Sequence, residues 1–85
     1  MTNEEAFRAR FARRMRESRH LKNLSQKDLA KIMRCDDSQV AHWERGYKMP
    51  TLWTAVRISK ALGVDLRVLC GTTWPEAVAL KDGDE

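Results

Sequence analysis

The sequence predicts an all-α fold, a compact bundle of five short helices, on three observations. Apolar residues recur at helical spacing in each cluster where they occur. No segment alternates with the two-residue period of a strand. Residues that start and stop helices punctuate the chain into five pieces. With 85 residues, the chain is one domain with a modest core, of the size that often leans on a partner subunit.

The first helix is expected over about Glu4–Lys22, where Phe7, Phe11 and Met15 form one apolar stripe. Glu4 and Glu5 favour its N-terminal dipole, and Asn23 suits a left-handed stop. The second helix, about 25–33, opens at Ser25 with Asp28 at the capping-box spacing and turns Leu29, Ala30 and Met33 inward. The third, about 36–45, opens at Asp36 with Gln39 in the reciprocal capping position and stops near Gly46. Val40, Trp43 and Tyr47 are its expected buried side. Pro50 and Thr51 open a fourth helix that buries Leu52, Ala55, Val56 and Leu62 and closes at Gly63. Asp65 caps a short fifth helix with Leu66 and Leu69. The organisation is thus a core domain over 1–70 and a C-terminal segment, 71–85, with one apolar cluster (Trp74, Val78, Leu80) and an acidic end.

No run of 18 apolar residues exists, so no membrane span is expected. The N-terminus lacks the apolar core of a signal peptide, which points to the cytoplasm. Cys35 and Cys70 match neither a zinc nor a redox spacing and are expected to act as small apolar residues, ahead of any redox role. The net charge of +4 is uneven: residues 1–22 hold seven basic and three acidic side chains, and residues 49–85 hold four and five. A basic first half suits a protein that presents one side to a polyanion, although a solvated helix face explains the same residues.

Between Leu24 and Pro50 the pattern is a short helix, a turn of about three residues and a second short helix. A helix can enter the DNA major groove when short polar side chains line its outward face. Asp37, Ser38, Ala41, His42 and Arg45 occupy the outward positions of the third helix. The segments LSQKDLAKIM, SQVAHWERG and KMPTLWTAVRISKALGVDL together resemble the Cro/C1-type (XRE) helix-turn-helix family of transcriptional regulators, over roughly residues 12–70. The resemblance implies a lambda-repressor-like fold that binds double-stranded DNA.

It also implies roles for particular residues. Gln26 matches a phosphate-contacting position at a helix N-terminus, where anions are favoured. Lys27 and Arg34 join that set, and Arg45 and Lys48 match backbone-contacting positions after the reading helix. Asp37, Ser38 and His42 match positions that touch base edges. Arg19 and Glu44 match a partly buried ion pair that ties the first helix to the third. Asp37 either accepts from cytosine N4 or only complements the helix dipole. Gln39 can read adenine, but its capping position favours a structural role. His42 has no second metal ligand at helical spacing, so it reads as a groove residue rather than a ligand.

Three departures from the family stand out. Arg34 sits at a turn position usually held by glycine, at a cost of about 1 kcal/mol, which a phosphate contact by its charge would offset. Asp36 and Asp37 place two acids at the DNA-facing end of the third helix. Trp53 stands where the family is usually polar. Trp53 with Leu66, Leu69 and Trp74 is the expected two-fold dimer interface, the alternative being that Trp53 packs on its own C-terminal segment.

The function expected is a homodimeric repressor on a pseudo-palindromic operator, controlled by its own concentration, with no cofactor, metal or small-molecule ligand. The rival from another class is a protein-interaction role, an antitoxin or anti-repressor, with residues 74–85 as the recruiting element. Two His and two Cys form no catalytic triad or metal spacing and no phosphate-cradling glycine loop is present, so no enzyme is expected.

Overall fold

The computed structural model describes residues 3–71. Five helices follow in order: α1 (Asn3–Leu21), α2 (Gln26–Met33), α3 (Asp37–Glu44), α4 (Leu52–Leu62) and α5 (Leu66–Cys70). Their ends fall within one or two residues of the sequence reading because local chemistry fixes them. Ser25 accepts from the Asp28 backbone N–H at 3.0 Å while Asp28 Oδ2 accepts from the Ser25 N–H at 2.9 Å, a closed capping box. Thr51 Oγ1 accepts from the Thr54 N–H, and Asp65 Oδ1 from the Arg67 N–H. Asn23 (φ 58°) and Arg34 (φ 56°) adopt the left-handed conformation that ends α1 and α2.

The core gathers Phe11 and Met15 of α1, Leu29, Ala30 and Met33 of α2, Val40 and Trp43 of α3, Ala55, Ile58 and Leu62 of α4, and Leu69 of α5. α1 lies against α3 and α5, α2 against α3 and α4, and α4 against α5, so every helix buries one side. Four arginines then donate to helix-terminal or loop carbonyls, three of them fastening elements distant in sequence. Arg10 Nε donates to the Cys70 carbonyl (3.0 Å), Arg16 Nη1 to that of Glu44 (2.8 Å), Arg19 Nη1 to that of Leu24 (2.7 Å), and Arg57 Nη2 to that of Met33. Each occupies a carbonyl that a helix end or loop leaves open.

Four expectations are corrected. Tyr47 is not buried but 69% exposed, because the helical phase that would carry it inward ends two residues earlier, at Arg45. Leu52 is 74% exposed. It is in phase with the buried stripe, but it sits in the first turn of α4, where no described neighbour covers it. Half-buried Val56 gives its expected place in the core to Ile58. Leu69, expected at a subunit contact, is fully buried on the inner side of α5, and Leu66 packs half-buried against the same core. A side chain already enclosed by its own chain has no surface left to offer a partner.

Candidate nucleic-acid interface

The motif is built from α2, a short left-handed turn and α3. The turn takes its shape at Arg34, whose backbone N–H donates to the Lys31 carbonyl while the Cys35 N–H donates to that of Ala30. A non-glycine in this conformation is strained by about 1 kcal/mol, and the Arg34 side chain is exposed to solvent.

α3 exposes Asp37, Ser38, Gln39 and His42, half-covers Ala41 and buries Val40, Trp43 and Glu44. The capping role expected of Gln39 is not found: Asp36 makes no side-chain cap hydrogen bond, and Gln39 uses its backbone N–H on the Asp36 carbonyl (3.0 Å). A box of this kind needs the N-cap side chain to fold over the first turn, and the Asp36 carboxylate stays exposed beside Asp37 instead. The Gln39 side chain therefore joins the outward face. Arg45 and Lys48, just beyond the helix, are exposed as well.

Beneath that face lies a buried ionic joint. Arg19 Nε donates to Glu44 Oε2 at 2.6 Å and Arg19 Nη2 to Oε1 at 2.9 Å, a two-pronged pair with side chains only 8% and 2% exposed. The paired carboxylate raises the Arg19 pKa against the opposing effect of burial. Gln26 Nε2 donates to the same Glu44 Oε1 at 3.1 Å. Gln26 thus begins α2 with one amide hydrogen committed to Glu44, which fixes the direction of its side chain and leaves its second amide hydrogen for an outside acceptor. Neither this bond nor the carbonyl clamps are suggested by sequence spacing.

α3 ends in a Schellman turn. The Gly46 N–H donates to the Trp43 carbonyl (3.2 Å) and the Tyr47 N–H to the His42 carbonyl (3.1 Å), with Gly46 left-handed at φ 75°. The Tyr47 ring lies 6.1 Å from that of His42 and has the Arg45 guanidinium 5.9 Å from its centroid. Sequence reasoning placed Tyr47 in the core. The one signal against that was Gly46 directly before it.

Other expected residues fall as follows. Lys27 is exposed beside Gln26, and Trp53 is 69% exposed on α4. Trp74 lies outside the described residues. Cys35 and Cys70 are free and half-buried, and burial pushes both thiols up, away from the thiolate that redox chemistry needs. Among the described residues, no group of three His, Cys, Asp or Glu is arranged to hold a metal, and no helix is long and apolar enough to cross a membrane.

A polar helix face projected from a rigid two-helix motif defines a DNA-binding domain of the helix-turn-helix class. Comparison agrees: the helix-turn-helix family matches residues 13–69, and the chain belongs to it, as a Cro/C1-type transcriptional regulator. Two solved structures are similar. The restriction-modification controller protein C.AhdI from Aeromonas hydrophila is 36% identical, with 75% of this chain and 97% of that one covered and a TM-score of 0.71. The hypothetical transcription factor NHTF from Neisseria is 30% identical, with 94% and 91% covered and a TM-score of 0.75. No curated protein matches the sequence.

Proposed function

We propose that this regulator is a homodimeric repressor that reads a pseudo-palindromic operator through the major groove. The observation that carries the reading is the α3 surface: Asp37, Ser38, Gln39 and His42 all stand exposed on a helix whose buried side is pinned by Glu44 to Arg19. Short polar groups at that place suit base edges. Gln26 and Lys27 at the start of α2, with Arg34, Arg45 and Lys48, flank it with donors suited to phosphates.

The dimer rests on α4, where Leu52 and Trp53 leave two large apolar side chains in water side by side. A two-fold contact there, with Leu66 at its edge and residues of the Trp74 segment added, is the arrangement proposed, with two reading helices about 34 Å apart. The restriction-modification controller protein among its structural neighbours supports a regulatory role, and the protein's own concentration is the signal proposed.

Selection of duplexes from a randomised pool tests the reading. The expected product is a pair of inverted half-sites about ten base pairs apart, centre to centre. A reporter driven through that duplex should fall when the protein is expressed, and the His42→Ala protein should select a different base at one position of each half-site. Failure to retain any duplex at low salt would refute DNA reading, and a rising reporter would refute repression. Trp53→Glu should sediment as a monomer; a persisting dimer removes Trp53 from the interface.

A further inference from the structure

We propose that Tyr47 is a positioning residue of the reading surface, its ring holding His42 and Arg45 in the orientations with which they meet DNA. The assignment rests on the DNA reading above and adds a residue to it. Three observations converge on this side chain. First, the Schellman turn reverses the backbone after α3, and the paired bonds from Gly46 and Tyr47 to the Trp43 and His42 carbonyls fix that reversal. Such a turn brings the second residue past the cap back against the residue five positions earlier, here His42. Second, the phenol ring does meet the imidazole, at 6.1 Å between centroids and tilted by 38°, within the range of favourable aromatic pairs. Third, the Arg45 guanidinium lies 5.9 Å from the centre of the same ring, within reach of a cation–π attraction.

Tyr47 is 69% exposed, so this contact does not serve the core. An aromatic left in water after the reading helix, touching two exposed side chains of that surface, restricts those side chains before DNA arrives. Arginine loses much rotamer freedom when it is held, and each side chain ordered on binding weakens the complex by a few-fold. A ring that orders both beforehand removes part of that loss. The phenolic hydroxyl is not needed for this, because both contacts are made by the ring.

The test uses the full-length chain and the duplex it selects from a randomised pool. Tyr47→Ala should bind that duplex about threefold to tenfold more weakly, with an unchanged melting temperature, since the side chain is exposed. Tyr47→Phe should bind within twofold of the parent. In a protein already carrying His42→Ala and Arg45→Ala, Tyr47→Ala should have no further effect, the signature of coupled side chains. Without DNA, the chemical shifts of the His42 ring protons should change in Tyr47→Ala as the aromatic neighbour is lost. If Tyr47→Ala binds as the parent does, or Tyr47→Phe loses as much as Tyr47→Ala, or the loss persists in the doubly substituted background, the positioning role is wrong while DNA reading stands. A parent that selects no duplex overturns DNA reading and this assignment together.

Discussion

Removing Glu44 tests how the reading helix is held. Its carboxylate accepts two hydrogen bonds from Arg19 and one from Gln26, and its side chain is only 2% exposed. Glu44→Ala strands the Arg19 guanidinium, itself 8% exposed, with the Leu24 carbonyl as its remaining acceptor among the described residues. Breaking one partner of a buried pair costs about 3–5 kcal/mol, against a total of about 4–13 kcal/mol for a domain of this length. The melting temperature should fall by about 15–30 °C. Arg19→Met should cost a similar amount, for the opposite reason: it leaves a buried carboxylate without its cation. Urea unfolding followed by circular dichroism, on both single variants and on Arg19→Met/Glu44→Leu, measures all three. The double variant should be more stable than either single one, because it strands no charge. Single losses below about 1 kcal/mol, as in exposed pairs, or a double variant as poor as the sum of the singles, would refute the reasoning.

Other perturbations probe separate parts. Arg34→Gly should raise stability by about 1 kcal/mol by relieving a left-handed non-glycine and should weaken DNA binding by loss of a cation; a destabilised Arg34→Gly protein would contradict the strain. Lys48→Ala should lower the slope of log affinity against log salt by about 1 and leave base preference alone, so a changed selected sequence would make Lys48 a reader. Hydrogen bonds from the backbone and side chain of Ser25 hold the Asp28 carboxyl below its usual range. That stabilisation is present above the unfolded value near 4 and is lost as pH falls through the folded one. Asp28→Asn should therefore flatten the acid limb of the melting curve, and an unchanged limb would remove the capping box from the account.

Features set by neighbours in sequence were legible before any coordinates. Ser25 with Asp28, Thr51, Asp65 and Asn23 are all local chemistry, and four helix boundaries follow from them, whereas the left-handed turn at Arg34 came from the family resemblance. On the outward face of α3, Asp37, Ser38 and His42 followed from helical spacing, while Gln39 was assigned to a cap instead. The Arg19–Glu44 pairing came from family resemblance, since 25 residues separate the partners. The errors share a cause: periodicity says which way a side chain points, not what covers it. Tyr47 was counted on a helical phase that Gly46 had already broken. Leu52 keeps the phase but lies beyond its neighbours. Leu69 looked available on a short amphipathic helix until the packing of α1 and α4 around α5 was known. The bond from Gln26 to Glu44 was out of reach because it depends on the angle between two helices.

The arginines of the α1 and α4 scaffold bear on how strongly this molecule should respond to ionic strength. Arg10, Arg16, Arg19 and Arg57 each spend guanidinium hydrogens on main-chain oxygen, and Arg19 is buried as well. Counterion release on DNA scales with the cations that reach phosphate. A titration of affinity against potassium chloride should thus be much shallower than the sixteen basic side chains would suggest. Much of what looks like polyanion affinity in the composition is rivet work, holding short helices together at their ends.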